Sequence, residues 1–404
     1  MKIFNIEKFI AENISNRNSS LFAQDIADNN EQLSAKIKGK SVMVIGGAGS
    51  IGSSFIKAVM RFSPAEVYVI DINENGLTEL VRDVRSDNTL SVPATFITYP
   101  IDFSDAVFKK IFQQHGRFDI VANFAAHKHV RSEKDHLSIE AMVENNVFKA
   151  RDLLDLMLEY RPDHFFCVST DKAANPVNVM GASKKLMEHV VLAYSKELHV
   201  STARFANVAF SNGSLLFGFM ERLLKRQPLS APNDVKRYFV SPSESGELCM
   251  LACMLADAGN IFFPKLPETS MLTFSAIADR FLAEHGLTAV ECKTETEAKA
   301  MAAALKDDTT EYPVYYFSSD TSGEKSFEEF YTDTEDIDLE RFNSLGIVRN
   351  NTVKSIAEIT EIIDNLKKLF DDPATNKATI VESIGRIIPN FTHIETGLSL
   401  DQKI

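Results

Sequence analysis

The sequence predicts an α/β protein: a doubly wound parallel sheet with a smaller, discontinuous lobe from the C-terminal half. Three observations predict it. Short apolar runs rich in β-branched residues recur between about residues 40 and 207, each trailed by a stretch of helical spacing. The first run ends in a glycine cluster that opens a helix. Beyond Asn207 the alternation stops, and Pro228, Pro232, Pro242 and Pro264 punctuate the chain.

The elements follow in order. Residues 1–39 carry apolar Phe4, Ile6, Phe9 and Ile10 in a polar setting and predict short helices leading into the main domain. Ser41–Ile45, Glu66–Ile70, Thr95–Tyr99, Asp119–Phe124, His164–Ser169 and Ser201–Phe205 predict six strands, apolar enough to be covered on both faces. Ser50–Arg61, Asn75–Arg85, Leu137–Tyr160 and Val179–Leu198 predict the helices between them, and such alternation implies parallel pairing. The expected division is therefore an N-terminal extension (1–39), a Rossmann-type domain (40–207), a mixed lobe (208–345) and a terminal helix with its tail (346–404). Within the lobe, Ser214–Arg226 and Ser243–Asp257 have helical spacing and Pro313–Phe317 reads as a strand. Ile356–Leu369 is amphipathic, and the last thirty or so residues read as a tail or an oligomer arm.

Composition narrows the function. The 404 residues are 45% hydrophobic, more core than one doubly wound sheet needs. A net charge of -13 argues against nucleic-acid binding, which needs clustered Lys and Arg. No stretch reaches the ~18 apolar residues of a membrane span, so a soluble, cytoplasmic protein is expected. Four cysteines in so long a chain suggest a reducing compartment. Cys249 and Cys253 lack a further His or Cys to complete a ligand set and read as buried helical thiols, so no metal is expected.

The glycine cluster Gly46-Gly47-Ala48-Gly49-Ser50-Ile51-Gly52 sits between a strand and a helix. Gly46, Gly49 and Gly52 let the backbone turn and approach a pyrophosphate, whose charge the free N–H groups of Ser50 and Ile51 and the helix dipole favour. Asp71 ends the second strand, nineteen residues beyond Gly52, where a carboxylate accepts from ribose hydroxyls and repels a 2′-phosphate. NAD is thus the expected cofactor rather than NADP. Asp102, with Phe103, follows the third strand and is either an adenine contact or a helix cap. Ala125 and Ala126 are small enough for a cofactor to lie against them.

Ser169-Thr170-Asp171-Lys172 ends the fifth strand, at the sheet edge where such folds bind ligands. Lys184 follows on the next helix. The stretch STDKAANPVNVMGASKKLME resembles the capsular-polysaccharide branch of the extended short-chain dehydrogenases, the UDP-N-acetylglucosamine 4,6-dehydratases. FAAHKHVRSEKD, ENNVFKARDLL, RFANVAFSNGSL, KRYFVSPSES and GNIFFPKL agree. The resemblance covers about residues 40–270 and is weaker from about 285 on. Most short-chain dehydrogenases carry Tyr-x-x-x-Lys where this chain has Met180 to Lys184; Met at the tyrosine place also occurs in a branch of the family. Larger members carry N-terminal membrane spans, which this sequence does not show.

The resemblance implies a chemistry and a set of roles. Hydride passes from C4 of the sugar to bound NAD, C5 loses a proton, C6 loses water, and the hydride returns at C6. Lys172 is implied as the C5 base, and must then be partly neutral, a state that burial and a nearby Lys184 would promote. Asp171 is implied as the acid at the C6 oxygen, with Thr170 through water or Asp171 itself taking the C4 hydroxyl proton. Asn146, Ser169, Lys128 and Lys184 are implied at the cofactor; Lys128, His129, Glu133, Asn207 and Arg237 at the sugar nucleotide, Arg237 at its diphosphate. The leading expectation is a dehydratase supplying a 4-keto-6-deoxy-N-acetylhexosamine for surface glycans. An epimerase or dehydratase on another nucleotide sugar, and a non-catalytic NAD-binding protein, are the alternatives. A homodimer or higher homo-oligomer is expected, since helices 137–160 and 179–198 pair across a two-fold in this superfamily through residues such as Leu153, Leu154, Met157, Met187, Val190, Val191 and Tyr194.

Overall fold

The computed structural model describes residues 4–319, 323, 325, 327–349 and 353–397. Sixteen strands form among them: β1 Ser41–Ile45, β2 Glu66–Ile70, β3 Thr95–Tyr99, β4 Ile120–Asn123, β5 His164–Val168, β6 Val200–Ala203, β7 Asn207–Val208, β8 Leu229–Pro232, β9 Lys236–Arg237, β10 Phe239–Val240, β11 Ile261–Pro264, β12 Leu272–Thr273, β13 Thr288–Cys292, β14 Glu311–Phe317, β15 Asp336–Asp338 and β16 Leu345–Arg349. Nine make the main sheet, in the order β15-β16-β11-β6-β5-β4-β1-β2-β3. The six strands expected from sequence all pair in parallel, and β11 joins them in parallel beside β6. β16 and β15 then close that edge antiparallel. The sheet thus draws three strands from beyond Asn207, where the sequence expectation placed a separate lobe. The strand order reverses between β1 and β4, and in such sheets the crevice at that reversal is the ligand site.

Both faces of the sheet are covered, which is why its strands are continuous apolar runs. On one face, helices Ser50–Met60 and Pro242–Leu255 pack Phe55, Val59, Leu248 and Leu251 against Val42, Val44 and Phe166. Cys249 and Cys253 are buried there as free thiols. On the other face, a long helical stretch runs from His136 to Tyr160, continuous but for a π-turn at Glu144–Phe148, beside helix Val179–Ala193.

The outer side of those helices, expected to meet a partner copy, carries other elements of the chain. The chain's own helices Ile356–Phe370 and Lys377–Ile387 lie there, joining Ile359, Ile363, Leu366, Ile380 and Ile384 in one core with Val143, Phe148, Leu154, Met187, Val190 and Val191. Part of the face the sequence offered to a partner is covered from within. The physical reason is patterning: both terminal helices carry an isoleucine-rich stripe needing an apolar surface.

The second lobe is a three-stranded parallel sheet, β13-β14-β8, packed on Phe219, Phe281 and Leu282. Phe9, Ile10 and Ile14 from the N-terminal segment complete its core. That segment also clamps the main sheet. Arg17 pairs with Glu244 at 2.7 Å, and buried Asp25 accepts from the backbone N–H groups of Asn343 (2.6 Å) and Ser344 (2.8 Å).

Candidate active site

The turn after β1 is shaped by what it must avoid. Gly46 has φ +74°, and a Cβ there would lie 2.5 Å from the Ala125 backbone nitrogen. The turn therefore rests directly on the chain leaving β4, which places half-buried Ala125 and Ala126 at the crevice. A Cβ on Gly52 would lie 2.4 Å from the Gly46 carbonyl oxygen. Gly49 differs: a Cβ there would meet only the Gly46 oxygen, at 3.4 Å. Gly49 is the N-cap of helix Ser50–Met60, and no side chain caps that end. Unfilled N–H groups with room in front of them make a cradle for an anion. Asp71, at the end of β2, accepts from Ala48 N at 3.0 Å and Asn73 N at 2.9 Å, so its carboxylate is held beside the glycine turn. Ser50 Oγ accepts from Asn212 N (2.8 Å), and Ile51 packs between two cores.

Asp102 and Phe103 are occupied within the fold. Asp102 accepts from Ser104 N (2.8 Å) and pairs with Lys149 (2.6 Å). Burial works against its charge, but the Lys149 and Ser104 hydrogen bonds prevail and depress its pKa. Phe103 is 8% exposed and belongs to the core beneath. Asn146, in the π-turn, holds the loop after β4: it accepts from His127 N (2.8 Å) and donates to His127 O (2.9 Å) and Ser183 Oγ (3.0 Å).

The end of β5 gathers a hydroxyl, a carboxylate and an amine. Lys172 Nζ donates to both Asp171 carboxylate oxygens at 3.2 Å, and the Thr170 hydroxyl donates to Asp171 Oδ1 at 2.6 Å. Asp171 is buried and the Lys172 side chain is 28% exposed. Both line a small cavity with Val130, Asn178, Arg237 and Glu328. Burial disfavours the Lys172 ammonium, but the charges of Asp171 and Glu328 more than compensate, despite the repulsion of Arg237; its pKa is raised. The charges around Lys172 thus work against the expected partial neutrality. Lys184 takes no part in that balance. It is buried, with its Nζ on the Val168 carbonyl (2.6 Å) and Met187 Sδ (3.2 Å), and burial lowers its pKa. Met180, in the tyrosine place, is 2% exposed. Ser169 donates to Glu188 at 2.6 Å and so anchors the strand end to a buried Glu188–Arg204 pair instead of facing the crevice.

The remaining expected residues separate into two groups. Arg237 lines the cavity, and Asn207 donates to Glu328 beside it. Lys128 instead reaches the Asn212 carbonyl (2.9 Å), His129 lies against Gly213, and Glu133 faces away. Glu133 accepts from Val179 N at 2.6 Å and pairs with Lys377 (3.3 Å) and His393 of the terminal segment. That segment lies on the loop after Lys172: Thr392 N donates to Pro176 O (3.1 Å) and Ile394 N to Val177 O (2.9 Å). It is a strap on the site, not a free tail.

Sequence reasoning missed Glu328. Its side chain is 3% exposed, Tyr238 N donates to it at 2.9 Å, and Arg237 Nε lies at 3.9 Å. Burial, together with the charge of Asp171, pushes its pKa up to about 8, against the pull of Lys172 and Arg237. The only sequence signal is two acids in the apolar-flanked run Phe327–Phe330.

A family model described as polysaccharide biosynthesis protein matches residues 42–350. The chain belongs to that family. An uncharacterized membrane protein of Methanocaldococcus jannaschii is 34% identical over 59% of this chain and 70% of its own length. The probable polysaccharide biosynthesis protein EpsC of Bacillus subtilis is 30% identical over 59% of this chain, but the match spans only 40% of that protein. The inverting UDP-N-acetylglucosamine 4,6-dehydratase of Campylobacter jejuni is 24% identical over 57% of this chain and 68% of its own. UDP-glucose 4-epimerases are also among the relatives, one from Rickettsia canadensis being 27% identical over 66% of this chain and 81% of its own. The structure of Pen from Bacillus thuringiensis shares the fold, with TM-score 0.62 at 21% identity, over 82% of this chain and 98% of that one. The chain is thus an enzyme of the nucleotide-sugar dehydratase/epimerase family with an extended short-chain dehydrogenase fold. Among the described residues no helix is long and apolar enough to cross a membrane.

Proposed function

We propose that this chain is an NAD-dependent 4,6-dehydratase acting on UDP-N-acetylglucosamine, supplying a 4-keto-6-deoxy sugar nucleotide for surface polysaccharide. The observation that carries the proposal is the Asp171–Lys172 pair on the cavity wall, with Thr170 hydrogen-bonded to Asp171 and a buried methionine, Met180, in the sequence place of an epimerase-type tyrosine. A thioether exchanges no proton, so the acid–base work falls to Asp171 and Lys172.

The residues present fit NAD. Gly49 and the uncapped helix N-terminus suit the pyrophosphate, Asp71 the adenosine ribose, and Ala125 and Ala126 the close approach of a ring. When bound, NAD supplies the hydride acceptor for C4 and the donor for C6. Asp171, through the Thr170 hydroxyl, receives the C4 hydroxyl proton and later delivers it to the C6 oxygen, which leaves as water. Lys172, once neutral, takes the C5 proton and, after its ammonium hydrogens exchange with solvent, delivers a proton to C5. Arg237 meets the diphosphate with its guanidinium fork.

Lys172→Ala tests the assignment. Turnover of UDP-N-acetylglucosamine is expected to fall by at least about 100-fold, the usual scale of a lost general base, with NAD still bound. Unchanged turnover would remove Lys172 from the mechanism. A 4-epimerase product, with the C6 hydroxyl intact, would replace the dehydratase reading.

A further inference from the structure

Lys172 poses a problem that the mechanism leaves open. A base must be neutral, yet two carboxyl groups hold this amine charged. The ammonium proton needs an acceptor within the cavity. Asp171 is already engaged with Thr170 and with the C4 and C6 oxygens in the proposed chemistry.

Glu328 shares the cavity with Lys172, whose amine pairs directly with Asp171, so a proton would pass between Lys172 and Glu328 by way of water in the cavity. The Glu328 side chain is 3% exposed and comes from a segment more than 150 residues away in sequence. Its oxygens are oriented by the Asn207 side-chain amide and by Tyr238 N. The charged groups that face it are Asp171 and Lys172 after β5, Arg237 on β9, and Lys325 on its own segment, which pairs with Glu329 at 2.8 Å.

We propose that Glu328 is the proton acceptor that turns Lys172 from an ammonium into a base. The step balances: Lys172–NH3+ and Glu328–COO− become Lys172–NH2 and Glu328–COOH. The amine then takes the C5 proton, delivers a solvent-exchanged proton to C5 after the hydride reaches C6, and recovers its own proton from Glu328. Burial favours the neutral pair over the separated charges. Glu328 acts through Lys172 and does not meet the sugar. The raised affinity of Glu328 for a proton supports this, since an ordinary carboxylate is too weak an acceptor for an amine's proton.

The inference rests on the dehydratase reading, so its test has one arm that needs no turnover. In the NAD-bound protein, the rate of Lys172 acylation by acetic anhydride is followed against pH by peptide mass spectrometry. Glu328→Gln removes an anion beside the amine, so the profile moves to lower pH. In the turnover arm, wild-type kcat/KM rises with pH through about 8, as Glu328 loses its own proton and becomes able to accept another. In Glu328→Gln that limb moves up to the titration of Lys172 itself. At pH 8 the rate falls about 100-fold, the neutral fraction of an amine two pH units below its pKa. Glu328→Asp, which restores a carboxylate, recovers part of the rate and returns the limb toward pH 8. Glu328→Gln with both profiles unchanged overturns the proposal. Wild-type protein that turns over no UDP-N-acetylhexosamine sinks the dehydratase reading instead, and the acylation profile still decides whether Glu328 governs Lys172.

Discussion

Replacing Gly49 and Gly52 one at a time by alanine separates the needs of the fold from the needs of a ligand. At Gly52 the new methyl carbon would stand 2.4 Å from the Gly46 oxygen and 2.8 Å from the Gly47 Cα. The first contact is about 1 Å too short, and both neighbours are backbone with no rotamer to yield. Overpacking of that kind costs about 1–3 kcal/mol, while alanine regains about 1 kcal/mol of helix propensity. The net expectation for Gly52→Ala is a loss of up to about 2 kcal/mol and a melting temperature lower by up to a few degrees. At Gly49 the backbone has φ −73°, which alanine accepts, and the methyl group has only the Gly46 oxygen at 3.4 Å as neighbour. A weaker N-cap and a stiffer unfolded chain nearly cancel, leaving stability within about 0.5 kcal/mol of wild type. The same methyl group stands where a pyrophosphate approaches. Losing one hydrogen bond to a charged group costs about 1.5–3 kcal/mol, or about 10–150-fold in affinity. Thermal melts of the cofactor-free variants and calorimetric titration with NAD read both effects. If Gly49→Ala binds NAD as tightly as wild type, the assignment of this turn to the pyrophosphate is wrong.

Two further predictions concern the scaffold. Arg204 and Glu188 are both fully buried, paired at 2.8 Å, so Arg204→Met strands a carboxylate and should cost about 3–5 kcal/mol in urea denaturation. Burial opposes the Glu188 charge, but Arg204 and Lys185 hold its pKa at about 2. Its folded value is depressed, so its contribution is complete above the ordinary carboxylate range and fades as pH falls from about 5 toward 2; Arg204→Met should flatten that acid limb. Separately, the terminal helices cover part of the face expected to form a four-helix dimer, packing on Val179–Ala193 and His136–Val143. Light scattering with cross-linking should show no contact between copies at helix Val179–Ala193, whereas Ile363→Asp, which undocks the hairpin, should expose that face and promote association. Cross-links there in wild type would contradict this packing.

The inner parallel strands were legible in sequence because they are buried on both faces and so read as unbroken runs such as Val42–Ile45 or Phe165–Val168, while the edge strand Thr95–Tyr99 is only half-buried but still apolar. β11, β15 and β16 were not, since their pairing joins residues far apart in sequence and β15 (Asp336–Asp338) has a mostly polar pattern. The glycine turn and Asp171–Lys172 announced themselves because special backbone geometry and clustered chemistry leave marks at fixed spacing. Lys184 showed the limit of that logic. Its spacing from Met180 suggested a cofactor contact, but spacing did not show that the amine also donates to the Val168 carbonyl. Glu328 left no such mark: a buried acid is distinguished by what surrounds it, and Asp171, Arg237 and Asn207 come from three other segments. The terminal strap was likewise hidden, because Thr392 and Ile394 bind through backbone groups that any sequence carries.

The central claim, dehydration at C6 driven through C5, is tested most directly by proton NMR of the purified protein with UDP-N-acetylglucosamine and NAD in deuterated water. The account predicts a keto sugar nucleotide with a new C6 methyl signal and deuterium at C5. A product that keeps its C6 hydroxymethyl group, or one whose C5 proton survives, would contradict it.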